Sequence, residues 1–174
     1  MLTTRSSYLV TILLLAASPV ALRAGLVTHT LGSAAPSFSD GQTGMSVATY
    51  NAAVAGNAAP FNGFIGSDGG PNFSAAWAYS YAAIGDPILS ATLTLGVYDH
   101  DSSASGDQVS AFSLGGIDLT ALLNTAFEGA GGTHSEYNIY TINLPGTTFA
   151  ALAGGTPGLS LALQAPGLGV LGNT

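Results

Sequence analysis

From Gly25 onward, short alternating runs of apolar and small polar residues are cut by Gly, Pro, Asn, Asp and Ser. This texture belongs to an all-β sandwich or barrel. Leu26 to Leu31 reads as a first strand, and Ser37-Phe38-Ser39-Asp40-Gly41 ends in a turn signal. Met45 to Tyr50 reads as another strand, with alanines following it. Gly66-Ser67-Asp68-Gly69-Gly70-Pro71-Asn72 is a loop, rich in residues that tolerate positive φ or fix a turn. After it, Phe73, Ala75, Trp77, Tyr79 and Tyr81 fall on one face of a strand, and Ser74, Ala76, Ala78 and Ser80 on the other. Ile88 to Tyr98 places Leu93, Leu95 and Val97 on one face, opposite Thr92, Thr94 and Tyr98. Gln108 to Leu114 is a further strand, turned by Gly115-Gly116.

One segment changes period. Leu119, Leu122, Leu123, Ala126 and Phe127 recur at helical spacing behind Asp118 as N-cap, with Gly129 as the stop. Tyr137 to Leu144 returns to strand, closed by Pro145-Gly146. Thr147 or Thr148 caps a brief helical turn through Leu152, ended by Gly154-Gly155. Leu159, Leu161 and Leu163 alternate with Ser160, Ala162 and Gln164 in a last half-buried strand. The tail Ala165 to Thr174 is turn-rich and carries no further strand in this reading, as a frayed terminus or a chain missing its final strand would.

Residues 1–24 read as an export signal, with Arg5 in a positive n-region, Tyr8 to Ala17 as an apolar h-region, Pro19 as a breaker and small residues at Ala21 and Ala24. The apolar run is shorter than the roughly 20 residues that span a bilayer. Residues 25–174 are then one domain with no linker or repeat, and the expected location is secreted, extracellular or at the cell surface. Both basic residues, Arg5 and Arg23, lie in the leader, while all nine acidic residues lie beyond it. Nucleic acid and anionic membrane surfaces are therefore poor partners, because nothing neutralises phosphate. There is no cysteine, which excludes disulfides, thiolate zinc sites and cysteine nucleophiles.

Chemistry concentrates in Asp99-His100-Asp101-Ser102-Ser103-Ala104-Ser105-Gly106-Asp107, between two strands. Asp99, Asp101 and Asp107, with Ser103 and backbone carbonyls, offer the oxygen ligands that calcium takes. An EF-hand is rejected: Ala104 stands at the sixth position, Ser110 at the twelfth, and strands replace the helices. Without a cation the three carboxylates make a solvated acidic turn with raised pKa values. Asp40 and Asp68 lie in other Gly-rich loops and add ligands only if the fold brings them near. Two flanking carboxylates are expected to raise the pKa of His100, and a zinc site would need His29 and His134 to converge from afar. The aromatic row from Phe73 to Tyr81 suits core packing, with sugar stacking as the other reading. Glu128 and Glu136 bracket one loop and are the only pair for glycosidase chemistry. No Gly-x-Ser-x-Gly elbow and no phosphate-binding glycine loop before a Lys occurs.

The stretch from Ser90 to Glu128 contains Ala-Thr-Leu-Thr-Leu-Gly-Val-Tyr-Asp-His-Asp-Ser and Gly-Asp-Gln-Val-Ser-Ala-Phe-Ser-Leu-Gly-Gly-Ile-Asp-Leu-Thr-Ala-Leu-Leu-Asn-Thr-Ala-Phe-Glu. It resembles exported bacterial proteins of the PEP-CTERM type, and the similarity extends from about Phe61, through Asn72-Phe73-Ser74, to Gln164. The resemblance implies a surface or matrix β-sandwich associated with exopolysaccharide-producing bacteria. Such proteins usually finish with a Pro-Glu-Pro motif, a hydrophobic helix and a basic cluster, none of which occurs here. The combined expectation is a jelly-roll-like β-sandwich with one short amphipathic helix. Its expected role is non-catalytic, structural or exopolysaccharide-binding, with calcium at Asp99, Asp101 and Asp107. The rival is a secreted hydrolase using Glu128 and Glu136.

Overall fold

The computed structural model describes residues 25–32, 38–63, 74–101, 104–133, 135–164 and 170–171. The export segment 1–24, the loop 66–72 with Asp68, and Phe73, Ser102, Ser103 and His134 lie outside the described residues. The elements run α1 (Val47–Val54), β1 (Ser74–Ala78), β2 (Thr92–Tyr98), β3 (Val109–Leu114), β4 (Ile117–Asp118), α2 (Thr120–Ala130), β5 (Tyr137–Asn143), a 3-10 turn (Gly146–Thr148), α3 (Phe149–Ala153), β6 (Gly158–Leu163) and β7 (Val170–Leu171). Among the described residues the protein is thus mostly β, with three short α-helices. Its strands form a four-stranded sheet of order β1-β6-β3-β4 and a three-stranded sheet of order β5-β2-β7. Among the described residues every pairing is antiparallel.

One apolar core lies between the sheets. Leu93, Leu95 and Val97 of β2 and Tyr140 and Ile142 of β5 share it with Phe112 and Leu114 of β3 and Leu159, Leu161 and Leu163 of β6. These are the apolar phases of the alternating runs, which period two sends to a single side. The opposite phase of the four-stranded sheet is small and uncharged along its first three strands. Ser74, Ala162 and Ala111 lie in one row across β1, β6 and β3, and Ala76, Ser160 and Ser113 in the next. The Ser113 and Ser160 hydroxyls bond each other at 2.8 Å.

Helix α2 supplies Leu119, Leu123 and Phe127 to the same core. Asp118 precedes its backbone N-cap, Leu119, by one residue, yet its Oδ1 accepts from both the amide and the hydroxyl of Thr120. The helix passes Gly129 and stops at Gly131, whose φ of +68° a glycine adopts without strain.

Three expectations for single segments are corrected. Leu26 to Leu31 forms no strand: Leu26 and Val27 are both exposed, and apolar residues on both phases give it no face to bury. Met45 to Tyr50 is the start of a helix rather than a strand. Ser46 Oγ accepts from the Thr49 amide at 3.1 Å, and the alanines carry α1 onward. The tail does add a strand, because Val170 and Leu171 pair with Tyr98 and Val97.

The first of these helices creates a second, smaller cluster on the outer face of β2 and β5. Met45, Tyr50 and Val54 pack there against Tyr98 and Tyr137, with Phe38 and Ile139 at the margin. Tyr50 stacks on Tyr98 at 4.9 Å and 14°, and the Tyr98 hydroxyl donates to Met45 O at 2.6 Å. The end of β2 is consequently buried on both faces, beside the acidic turn.

Candidate functional site

The turn after β2 begins with a break in alternation. Asp99 has φ +59°, a left-handed conformation that Asp tolerates better than most residues. Its amide donates to Glu136 O at 2.8 Å, and its carboxylate accepts from the Ser135 amide. Ser135 also has φ +59°. Two left-handed residues therefore lock the ends of β2 and β5 together. Asp99 is only 7 % exposed.

Strict alternation would turn His100 away from the main core, toward the side of Tyr98. The left-handed step turns it inward instead, where it is fully buried. Its ring lies 4.4 Å from Phe127 and 6.3 Å from Tyr140. The expected upward pKa shift is thus reversed: burial pushes the imidazole down to about 4, against a smaller upward pull from a hydrogen bond with Gln108. Desolvation of the buried ring disfavours the imidazolium, and the hydrogen bond does not offset it.

Gln108 also organises the turn from within. Its Nε2 donates to Asp101 O at 2.8 Å and to Ala104 O at 2.9 Å. The next anchor is Asn124 of α2, buried against the start of β3. Its Oδ1 accepts from the Gln108 and Val109 amides, and its Nδ2 donates to Val109 O. Nothing in the alternating pattern marks Gln108, Asn124 or Ser135 as organising residues. A lone amide among the apolar positions of a helix, as at Asn124 between Leu123 and Phe127, is the signal that could have found one of them.

The predicted ligand residues end in different surroundings. Asp99 faces the Ser135 amide, Asp101 is half-buried with its carbonyl held by Gln108, and Asp107 is exposed. Asp107 lines an open groove of about 380 Å³ with Ala121, Asn124, Thr125 and Glu128. Asp40 joins neither, because its Oδ1 accepts from the Ile139 amide on the edge of β5. Among the described residues, no group of three or more His, Cys, Asp or Glu is placed to hold a metal ion.

Of the candidate glycosidase pair, Glu128 is exposed near the end of α2, while Glu136 folds back on its own turn. Glu136 accepts from the Thr133 amide and hydroxyl and from Asn138 Nδ2. The Thr133 hydroxyl does most to hold this carboxyl below the usual carboxylate range. In the aromatic row, Trp77 and Tyr79 pack against the main core, and Phe61 meets Trp77 edge-on at 5.5 Å. Core packing accounts for Trp77 and in part for Tyr79, which stays half-buried.

Comparison with protein-family models, with curated proteins and with solved structures gives no match to this chain. Among the described residues, no helix is long and apolar enough to cross a membrane.

Proposed function

We propose that this chain is a non-catalytic, exported β-sandwich module of jelly-roll type that serves at the cell surface or in the extracellular matrix, structurally and in contact with neutral glycan. The observation that carries the reading is the Asp99–His100 pair. At the point of densest chemistry, one side chain staples two strand ends and the other fills an aromatic core. The remaining carboxylates with assigned partners behave alike: Asp40, Asp118 and Glu136 all accept hydrogen bonds that shape local backbone or turns. The resemblance of Ser90 to Glu128 to PEP-CTERM-type proteins points to the same surface role. Calcium belongs to the proposal as the counter-charge of Asp99, Asp101 and Asp107, since residues 25–174 contain no Lys or Arg.

The experiment is to incubate the full chain with neutral and acidic polysaccharides and to measure retention and new reducing ends together. Retention on a neutral glycan without bond cleavage is expected. Release of reducing ends that is lost in Glu128→Gln would overturn the non-catalytic reading in favour of the hydrolase.

A further inference from the structure

We propose that Tyr79 and Tyr81 form a stacking site for one pyranose ring of a neutral polysaccharide, and that segment 25–32, seated there by His29, is its removable cover. This rests on the glycan contact proposed above and gives it a place.

Beyond β1 the chain stays extended along the β6 side. The Tyr79 amide donates to Pro157 O at 3.1 Å and the Tyr81 amide to Gly155 O at 2.9 Å. Residues two apart on extended backbone share a face, with Cα atoms about 7 Å apart, so the two rings form a step. That step is fixed in place. The Tyr81 hydroxyl donates to Leu152 O at 2.7 Å. Gly155 lets the backbones meet, since a Cβ there would lie 2.4 Å from Tyr81 O.

A flat ring already occupies the step. The His29 centroid is 5.6 Å from Tyr79 at 72° and 5.6 Å from Tyr81 at 49°. The rest of segment 25–32 is weakly held: it has no helix or strand, and Leu26 is 93 % exposed. Among the described residues, no backbone hydrogen bond ties it to the body. His29, itself exposed, makes the segment's ring contact with the step, and Leu31 is its one half-buried residue; a competing ring has the His29 side chain to displace.

The chemistry selects the competitor. A tyrosine face accepts the C–H face of a pyranose by apolar contact and by attraction of its polarised C–H groups to the π cloud. Phosphate, sulfate and uronate find no Lys or Arg in residues 25–174 and nine carboxylates that repel them. The ligand is an uncharged glycan.

The test is affinity electrophoresis of the full chain in native gels containing hydroxyethylcellulose or laminarin, with dextran sulfate as the anionic control. With the cover closed in most molecules, His29→Ala is expected to lower the half-retarding concentration about tenfold. Retardation should persist in His29→Ala with Tyr81→Phe and vanish in His29→Ala with Tyr81→Leu. A second readout needs no variant: the His29 ring protons of the wild-type chain should lose their ring-current shifts as laminarin is added. The proposal is overturned if His29→Ala is retarded no more than wild type. It is equally overturned if the Tyr81→Leu variant, still folded by circular dichroism, is retarded as before; neutral glycan binding would then stand at another site. No retardation of any protein, with unmoved His29 signals, overturns both this site and the glycan contact. Retardation by dextran sulfate alone overturns the choice of an uncharged ligand.

Discussion

Asp99 holds a backbone conformation that most side chains avoid, and its carboxylate helps to hold it through the Ser135 amide. Asp99→Asn keeps both an acceptor and a tolerance for positive φ, and should cost less than about 1 kcal/mol. Asp99→Val loses the acceptor and adds β-branching at φ +59°, for about 2–4 kcal/mol. Urea unfolding of the two variants beside wild type measures the difference. His100 gives the second residue-scale prediction. Its folded pKa of about 4 lies below the value near 6.5 of an unfolded imidazole. Between these values the unfolded chain binds a proton that the folded chain does not. Stability from this group is therefore fully present above about pH 6.5 and falls as pH drops towards 4, by on the order of 3 kcal/mol. Urea midpoints at pH 7, 5.5 and 4.5 should show the slope, and His100→Phe should flatten it.

Helix α2 is tied to β3 by Asn124 more specifically than by its leucines. Asn124→Ala leaves the Gln108 and Val109 amides and the Val109 carbonyl without their side-chain partner. That should cost about 3 kcal/mol or more and lower the melting midpoint by roughly 6–12 °C for a domain of this size. Asn124→Asp keeps the acceptor and loses the donor, so its midpoint should fall between the two. The strands β2, β3, β5 and β6 and the helix were legible because period two and period 3.6 were each sustained over five or more positions. Over Met45 to Tyr50 the first residues fit a strand equally well; the Ser46 cap and the alanines decide for a helix. At the acidic turn the sequence showed where the charges are. It did not show that a single left-handed residue would turn His100 into the core.

At the scale of the whole molecule the dominant fact is one-sided charge. Residues 25–174 hold nine carboxylates and no Lys or Arg, so a divalent cation is the natural means of relieving their repulsion. Calcium at about 100 times its Kd should add roughly 2.7 kcal/mol and raise the midpoint by about 5–10 °C over the same protein in EDTA. Asp101→Asn with Asp107→Asn should abolish that shift. An equal midpoint in both buffers would make 99–107 an acidic turn without an ion.

Strand β2 has a consequence for how the chain avoids misassembly. Its first half presents threonines outward and leucines inward, but from Gly96 to Tyr98 both faces are covered, the inner by the main core and the outer by Tyr50 and its neighbours. A strand covered on one face is checked once when it pairs, because a slip of one residue trades its apolar set for its polar set. The end of β2 is checked twice. A one-residue slip against β5 would pull Val97 out of one cluster and Tyr98 out of the other, and would carry the left-handed step at Asp99 away from Ser135. The register is proofread at the very place where the main core, the second aromatic cluster and the acidic turn meet.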